Sequence, residues 1–347
     1  MHLTPDNRVA ILLHQGIREA NGKTGLTFLR YSDATIVAAI DEDCSGESIS
    51  ALTGIAKNVP IVASVTEALA YQPDVLVIGI APSGGALPPT WWQEVKSGVE
   101  AGLSVINGLH TPMQGIVESL KEGQWIWDIR QEPLGLQIGK GRARSLSGRR
   151  ILTVGTDMSV GKMSAGIELY RTAQKRGIKT EMVATGQGGL MLFGRGVPLD
   201  AVRVDFAAGA IEKAVLEIGA DCPLLWIEGQ GSIFHPGSTA TLPLLRGSQP
   251  TDLILVHRVG QDRIHNCPQV KIPPLGEAIQ VYETIASAGG TFGTVKVRGI
   301  ALNTFALGER EAKDAIAQTQ AETQLPCTDV VRFGGDFLLD AILASTS

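Results

Sequence analysis

The sequence has few of the features that mark secreted, metal-bound or membrane-spanning proteins. Its four cysteines are scattered over 347 residues without a C-x-x-C pair. This spacing disfavours a zinc ribbon and a disulfide framework, and it favours a reduced compartment. No apolar run approaches the roughly 18 to 20 residues of a membrane span, and the apolar segment from Val9 to Leu13 is too short for a signal-peptide core. We therefore expect a cytoplasmic protein without a membrane partner.

An excess of positive charge is also missing. Thirty Lys and Arg against 35 Asp and Glu give a net charge of −5, which argues against a general nucleic-acid binder. Hydrophobic residues make up 44% of the chain, and its mean hydropathy is +0.13. A chain of this size and composition can bury two cores. We expect a globular homo-oligomer that acts on a small molecule.

Short apolar runs rich in Val and Ile alternate with helix-length segments along the chain. This alternation predicts an α/β fold with parallel sheets covered on both faces. We expect a Rossmann-like domain at residues 1–138, a linker at 139–150 and a P-loop NTPase-like doubly wound parallel sheet domain at 151–347. The predicted strands are Arg8 to His14, Thr35 to Ile40, Ile61 to Ser64, Asp74 to Ile80, Leu103 to Leu109, Arg150 to Val154, Lys179 to Ala184, Pro223 to Glu228, Asp252 to His257 and Lys296 to Leu302.

The most informative stretch is GTDMSVGKM, which follows the apolar run Ile151 to Val154. A strand that enters a glycine-rich turn ending in Gly-Lys, before a helix, is typical of a phosphate-binding loop. We expect a phosphorylated cofactor here, held above all by the amides of Ser159 to Met163 and by the Lys162 ammonium. The predicted cofactor-binding residues are Gly155, Thr156, Asp157, Ser159, Val160, Gly161, Lys162, Met163 and Ser164.

The residue after the loop lysine is unusual. Nucleotide-hydrolysing loops place Ser or Thr there to ligate magnesium, whereas this chain has Met163. Ser164 carries a hydroxyl but lies about 100° further round the helix. Carboxylates at neighbouring strand ends could hold magnesium instead, and Glu228 and Asp205 are the candidates.

Further polar residues follow the predicted strands of the second domain, where ligands gather in doubly wound sheets. His235, in Phe234-His235-Pro236-Gly237, is a candidate acid or base. Asn303 is expected to contact the base of a nucleotide, because its amide can both donate and accept. Candidate substrate-binding groups are the bare backbone at Thr185, Gly186 and Gln187 and the guanidinium groups of Arg195, Arg203 and Arg258.

The first domain carries weaker signals. No G-x-G-x-x-G follows its first strand, where His14-Gln15-Gly16 supplies a single glycine. Asp41 ends the second strand, as a ribose-binding acid would in a dinucleotide-binding fold. The stretch Ala81 to Pro89 contains Ser83-Gly84-Gly85 at a predicted ligand-binding edge.

The string GTDMSVGKM resembles the phosphate loop of dethiobiotin synthetase and related amidating enzymes, and Glu228-Gly229-Gln230-Gly231 resembles their magnesium-site motif. The whole chain is also similar to a two-domain family associated with D-glutamate N-acetyltransferase activity. That similarity rests on GTDMSVGKM, on ATGQGGLM from Ala184, on EGQGSIFHPG from Glu228 and on GIALNT from Gly299.

The second resemblance implies that the loop holds a phosphate of acetyl-CoA. It implies an acyltransferase in which arginines bind the substrate carboxylates and Glu228 or His235 deprotonates the attacking amine. Two alternatives remain open at this stage. One is an ATP- and magnesium-dependent ligase or amidase of the dethiobiotin synthetase kind. The other is a nucleotide-binding module without turnover.

Overall fold

The computed structural model describes residues 3–82, 86–113 and 119–345. The glycine pair predicted to lie at a ligand-binding edge, Gly84-Gly85, falls outside the described residues. The first 132 residues contain β1 (Arg8–Leu12), α1 (Lys23–Tyr31), β2 (Thr35–Ile40), α2 (Ile49–Thr53), β3 (Ile61–Val62), α3 (Val65–Ala68), β4 (Val75–Ile78), α4 (Pro89–Ala101), β5 (Ser104–Asn107) and β6 (Ile126–Asp128).

The rest of the chain continues the alternation of strands and helices. Its elements are β7 (Arg149–Gly155), α5 (Lys162–Lys175), β8 (Thr180–Val183), α6 (Gln187–Phe193), α7 (Val204–Gly219), β9 (Leu224–Ile227), α8 (Thr241–Ser248), β10 (Asp252–Arg258), β11 (Arg263–Ile264), β12 (Cys267–Lys271), α9 (Leu275–Ser287), β13 (Lys296–Asn303), α10 (Glu309–Thr323), β14 (Cys327–Thr328), α11 (Val330–Phe333) and α12 (Asp336–Ala344).

These elements form two compact units. Unit 1 comprises residues 1–132 together with 187–194, and unit 2 comprises residues 133–186 and 195–347. The predicted linker at 139–150 lies within unit 2, where it leads into β7. Helix α6 belongs to unit 1 although its neighbours in the sequence belong to unit 2, and it packs against α1.

Unit 1 is a parallel six-stranded sheet in the order β3-β2-β1-β4-β5-β6. This is the strand order of a Rossmann fold, so the predicted class is confirmed. Helix α1 lies close to β4 because two glycines face each other there. The amide of Gly25 donates to the carbonyl of Gly79 at 2.7 Å, and a Cβ on Gly25 would lie 2.8 Å from the Cα of Gly79. Side chains larger than hydrogen would separate helix and sheet.

Unit 2 is a second parallel six-stranded sheet, in the order β14-β13-β10-β7-β9-β8, with a short antiparallel hairpin made of β11 and β12. The predicted doubly wound P-loop architecture is confirmed. Alternate residues of the central strands, such as Leu152 and Val154 of β7, face a core that α7, α8 and α9 cover. The neighbouring β7 and β10 are paired as far as Gly155 and Val256, and β10 ends two residues later, so the loops that follow them lie at one edge of the sheet.

None of the described helices has both the length and the apolar character needed to cross a membrane.

Candidate functional site

The phosphate loop connects β7, near the middle of the unit 2 sheet, to α5, which begins at Lys162. Two residues of the loop have left-handed backbone angles, Ser159 at φ 59° and Gly161 at φ 115°. A φ of 115° is strongly disfavoured for any residue with a Cβ, so Gly161 is required here. The first amides of a helix have no partner within it and carry its positive dipole end. The loop therefore ends at an anion-binding helix terminus.

Three side chains from distant parts of unit 2, together with the loop's own Lys162, hold this loop by binding its carbonyl oxygens. The donors are Tyr282 Oη to Gly155 O at 2.7 Å, Lys162 Nζ to Asp157 O at 2.8 Å, Arg258 Nη2 to Ser159 O at 2.8 Å and Asn303 Nδ2 to Val160 O at 2.9 Å. With its carbonyl oxygens bound in this way, the loop has a fixed shape before any ligand arrives. Such preorganisation is what a tight anion site needs.

Two of these donors have roles that differ from the sequence-based expectation. Asn303 was expected to read a nucleotide base, but its amide donates to Val160 and its Oδ1 accepts from the amide of Phe305 at 3.1 Å. Arg258 was expected to bind a substrate carboxylate, whereas it donates to Ser159. Both lie at strand ends, as predicted, and both support the phosphate loop. Tyr282 had no signal in the sequence, because it lies on α9, 127 residues beyond its partner Gly155.

Asp157 connects the phosphate loop to the β11–β12 hairpin. Its carboxylate is buried, with 1% exposure. It accepts hydrogen bonds from the Met158 amide at 2.6 Å, from Gln261 Nε2 at 2.6 Å and from the His265 amide at 2.8 Å. A buried carboxylate is stable only when its oxygens are bound in this way. Asp157 therefore positions the hairpin and the start of the loop together.

His257 supports the loop from the end of β10. Its Nδ1 lies 2.8 Å from the hydroxyl of Thr156. Burial lowers the pKa of His257 to about 4, so the imidazole is neutral at neutral pH. A neutral ring beside the loop adds no charge to the phosphate site, which leaves Lys162 as the cation within the loop sequence.

Glu228 follows β9 and is almost completely buried, with 1% exposure. Its Oε2 accepts from the amides of Thr185 and Gly186 at 2.8 and 3.2 Å, and its Oε1 accepts from Gln230 Nε2 at 3.0 Å. The hydroxyl of Thr185 also donates to the Glu228 carbonyl at 2.8 Å. The amides of Thr185 and Gly186 were expected to bind a ligand anion, but they bind this carboxylate. In this arrangement Glu228 joins the ends of β8 and β9 rather than acting as a free base.

The two expected magnesium ligands, Glu228 and Asp205, lie in different surroundings, the first buried and the second exposed. Asp205 was placed at a strand end by the sequence reading, whereas it lies exposed in the first turn of α7. The run Val204-Asp205-Phe206 is apolar enough to suggest a strand, but Ala207 to Val215 extends it into a helix. Among the described residues, no group of three or more His, Cys, Asp or Glu side chains could hold a metal ion. Met163 and Ser164 are both partly exposed on the first turn of α5.

His235 is buried, with 9% exposure, in the loop after Glu228. Its Nδ1 accepts a hydrogen bond from the amide of Gly237 at 3.0 Å. In the neutral ring the proton is therefore on Nε2, because Nδ1 must offer a lone pair. This tautomer makes Nε2 a hydrogen-bond donor. His235 thus fits a role in binding an oxygen atom better than the expected role as a base.

Each of the remaining predicted substrate-binding residues has a partner within its own unit. Arg195 pairs with Glu181 at 3.4 Å on the surface. Arg203 lies over the ring of Phe206, 5.0 Å from its centroid. Gln187 belongs to unit 1, where its Nε2 donates to Thr24 Oγ1 at 3.2 Å. Sequence order alone placed these residues near one edge, but their side chains have local partners.

A cavity of about 260 Å³ lies beside the phosphate loop in unit 2. Met158 of the loop forms part of its wall, and Thr185 and Gln230 connect it to the Glu228 cluster. Its other lining residues include the apolar Leu199, Val202, Val204, Ala207 and Pro243 and the polar Asp200, Ser238 and Thr239. The sequence reading missed Asp200, Ser238 and Thr239. The only available signal was that Ser238 and Thr239 directly follow the HPG motif.

Comparisons with known proteins agree with this architecture. Residues 42–132 match the Rossmann-like domain, and residues 137–339 the P-loop domain, of a family of unknown function designated DUF1611. The chain resembles the crystal structure of a DUF1611 family protein from Anabaena variabilis, with a TM-score of 0.94 and 58% identity over 98% of this chain and 100% of that one.

Two curated relatives carry functional names. A protein of Tritonibacter scottomollicae named D-glutamate N-acetyltransferase is 36% identical over 81% of this chain and 84% of its own length. A protein of a Pseudoalteromonas species with the same name is 33% identical over 80% of this chain and 83% of its own. From its Rossmann-like and P-loop units and from these matches, the chain belongs to the DUF1611 family.

Proposed function

We propose that this protein is an N-acetyltransferase that moves an acetyl group from acetyl-CoA to the amino group of an acidic amino acid such as D-glutamate. The observation that carries the proposal is the preorganised phosphate loop that ends in Met163 instead of Ser or Thr. Gripping a phosphate ester requires amides and a lysine but no hydroxyl for magnesium. The names of the two curated relatives support the reaction and the acceptor.

The residues present fit acetyl-CoA. Lys162 and the amides at the start of α5 would hold one of its phosphates. The cavity beside Met158 combines apolar walls with hydroxyl groups, which suits an arm made of alkyl and amide groups. When bound there, acetyl-CoA supplies an acetyl group that is activated as a thioester. The loop thus uses phosphate to position the donor.

Acetyl transfer also needs a group that removes a proton from the acceptor's ammonium, so that its nitrogen can attack the acetyl carbon. The carboxylate oxygens of Glu228 already accept three hydrogen bonds, and Nδ1 of His235 accepts one. Asp200 is the carboxylate among the described residues that line the cavity. We assign the role of proton acceptor to Asp200 because it lines the cavity that would hold the acetyl-bearing arm.

One experiment tests both parts of the proposal with two matched pairs of variants. Calorimetry measures the binding of acetyl-CoA and of ATP, each with and without magnesium, and release of the free thiol measures transfer to D-glutamate and L-glutamate. We expect Lys162→Ala to abolish acetyl-CoA binding, while Lys175→Ala at the exposed end of α5 leaves it intact. We expect Asp200→Asn to lower kcat by roughly 10²- to 10⁴-fold without loss of acetyl-CoA affinity, whereas the exposed Asp221→Asn has no effect.

The outcomes separate the alternatives. Magnesium-dependent ATP binding without acetyl-CoA binding would replace the transferase by a ligase. Binding of either compound with no turnover on any acidic amino acid would indicate a nucleotide-binding module. Full activity of Asp200→Asn would remove that residue from the mechanism while leaving the reaction itself in place.

A further inference from the structure

A buried histidine of unit 1 connects the loop after β1 to two neighbouring segments. His14 follows β1 and is only 3% exposed. Its Nδ1 accepts a hydrogen bond from the backbone amide of Glu42 at 3.3 Å, and its Nε2 lies 3.1 Å from Oε1 of Glu94 on α4. The ring of Trp91, also on α4, stacks on the imidazole with the ring centroids 5.3 Å apart. The proposed acetyl transfer uses none of these residues.

The two hydrogen bonds of His14 define its protonation state. The amide of Glu42 can only donate, so Nδ1 must offer a lone pair and the proton of the neutral ring is on Nε2, where it points at the Glu94 carboxylate. A second proton can enter the ring only at Nδ1, and it would turn this acceptor into a donor. Two N–H groups would then face each other. The imidazolium form of His14 and the hydrogen bond from Glu42 therefore exclude each other.

The groups around the ring act on its charge in opposite directions. The carboxylate of Glu94 and the face of Trp91 favour the imidazolium. Glu94 stays beside the ring because its Oε2 accepts from the amide of Val65 at 2.9 Å. Burial and the hydrogen bond from Glu42 favour the neutral form. Histidine is the side chain whose charge changes most readily near neutral pH, so a balance of this kind responds to acidification.

The other charged groups of the neighbouring segments have positions or partners of their own. Lys96 lies two residues after Glu94, on another face of α4. On α3, Glu67 accepts from the amide of Ala63 at 2.9 Å. In the loop after β1, Arg18 pairs with Glu47 at 2.7 Å. Glu94 is therefore the carboxylate that sets the charge balance of His14.

Asp41 also joins the loop after β1 to the turn that follows β2. Its carboxylate accepts from the amides of Gln15 at 3.3 Å and Ile17 at 3.2 Å. It is thus engaged within the protein and does not stand free for a ribose, as the sequence suggested. The hydrogen bond from Glu42 to His14 is a further link between the same loop and the same turn.

The turn Glu42–Cys44 borders a cavity of unit 1. The cavity has a volume of about 640 Å³, and Asp41, Asp43 and Cys44 form part of its lining. It lies at the carboxyl ends of β1 and β2, the edge at which Rossmann-like sheets bind ligands. Release of the Glu42 amide from His14 would loosen one wall of this cavity.

We propose that His14 is a pH-sensitive link within unit 1. At neutral pH its unprotonated Nδ1 holds the Glu42 amide and fixes the turn. On acidification a proton from water binds Nδ1, the imidazolium pairs with Glu94, and the turn at residues 41–46 is released. The proposal does not depend on acetyl transfer, because it concerns the conformation of unit 1 alone.

Hydrogen exchange of the full-length protein, followed by mass spectrometry between pH 8 and pH 5.5, tests the proposal. Rates are corrected for the intrinsic pH dependence of amide exchange, and no acetyl-CoA or acceptor is added. The lower limit stays above the pKa of about 4 of free carboxyl groups. We expect the protection of residues 41–47 to fall by at least about tenfold on acidification, as for the loss of one hydrogen bond. Protection of β4 and β5 should stay constant.

Three variants identify the titrating group. His14→Gln cannot gain a proton, so its protection of residues 41–47 should not change with pH. Glu94→Gln keeps an acceptor for Nε2 but removes the charge that favours the imidazolium, so the loss of protection should move to lower pH. A purely structural role of Glu94 would not move this midpoint. His110→Gln changes an exposed histidine of unit 1 and should behave like the parent protein.

Thermal unfolding verifies that each variant folds, and Glu94→Gln tests the proposal alone if His14→Gln does not. The proposal is overturned if the parent protein shows no pH-dependent change at residues 41–47. It is also overturned if the change persists in His14→Gln, or if the midpoint in Glu94→Gln equals that of the parent protein.

Discussion

The side chains around the phosphate loop act mostly on its backbone and only in part on a ligand. Tyr282, Arg258 and Asn303 each donate to one of its carbonyl oxygens, and the neutral His257 contacts Thr156. A loop that is held in this way loses little conformational freedom when an anion binds, which favours affinity. Because these side chains hold the loop, a change in the protonation of His257 is expected to disturb it.

The pKa of His257 sets the pH range in which the stability of the protein is expected to change. Its pKa is about 4 in the folded protein because of burial, against 6.5 for a free imidazole. The unfolded chain therefore binds more protons between these values, so the free energy of unfolding falls as the pH drops from about 6.5 towards 4, by up to about 3 kcal/mol. We expect His257→Gln, which stays neutral, to lose less stability over this range. Urea unfolding of both proteins at several pH values measures the difference, and two parallel curves would contradict it.

The identity of the loop could be predicted from the sequence, whereas the roles of its neighbours could not. A strand, a glycine-rich turn and a Gly-Lys pair are local, and each residue type has a physical reason to be there. The partners of the loop come from α9, β10 and β13, and lie 99 to 143 residues away in sequence. The residues next to an asparagine in the sequence do not show whether its side chain donates to a backbone carbonyl, as that of Asn303 does, or contacts a nucleotide base. The hydrogen-bond partners of Glu228 could not be predicted for the same reason, because they lie 42 and 43 residues earlier.

Helices and strands, like single residues, could be predicted where the signal is local in the sequence. The buried strands of both sheets are apolar runs, and most were predicted within a few residues. The three-residue β6 and the two-residue β11 were missed because they are too short to show a pattern, and β12 because it is largely exposed and is not an apolar run. Helix α6 was not predicted, since Gly188 and Gly189 have low helix propensity. Packing against α1 outweighs that propensity.

A cluster at the amino-terminal ends of three strands joins β7, β10 and β13. Asp252 is buried with 1% exposure, and it accepts from Arg149 at 2.7 and 3.0 Å and from Arg298 at 2.6 Å. Burial alone would raise the pKa of Asp252, but the hydrogen bonds from Arg149, Arg298 and Thr251 hold it below its usual range. The carboxylate is therefore the common partner of two cations.

Asp252→Asn tests the contribution of this cluster. Removal of its charge leaves two guanidinium groups near a buried neutral amide, so we expect the free energy of unfolding to fall by about 3 to 5 kcal/mol. Chemical denaturation measures this loss. The control is Glu309→Gln, which removes an exposed partner of Lys313 on α10 and should leave stability nearly unchanged. If the two substitutions lowered the free energy of unfolding equally, the Asp252 cluster would contribute no more to stability than an exposed ion pair does.

At the scale of the molecule, the division into units does not follow the order of the sequence. Residues 187–194 lie between two segments of unit 2 but belong to unit 1. Met191 is buried with 1% exposure, and its Cε lies 2.6 Å from where a Cβ on Gly108 would be. Unit 1 therefore has a discontinuous chain, which sequence periodicity could not reveal.

A fragment comparison tests this division. Residues 1–132 alone lack α6, so part of the surface of α1 loses its cover. We expect a fragment that carries residues 187–194 on a flexible glycine-serine linker to be more stable than residues 1–132, by roughly 2 kcal/mol for burial of one large apolar side chain. Urea unfolding measures the gain, and Met191→Asp in the linked fragment should abolish it. If the two fragments unfold at the same urea concentration, α6 contributes nothing to unit 1.

The position of α6 also affects how the protein folds during synthesis. The ribosome completes residue 132 about 60 residues before it completes residue 194, and at about 5–20 residues per second this interval lasts several seconds. During that time the nascent Rossmann-like unit exposes the apolar surface that α6 will later cover. The strands that complete the unit 2 sheet, β9, β10, β13 and β14, are synthesised after this helix. The speed of translation between codons 132 and 194 therefore sets how long this partly folded unit exposes apolar surface to chaperones or to neighbouring nascent chains.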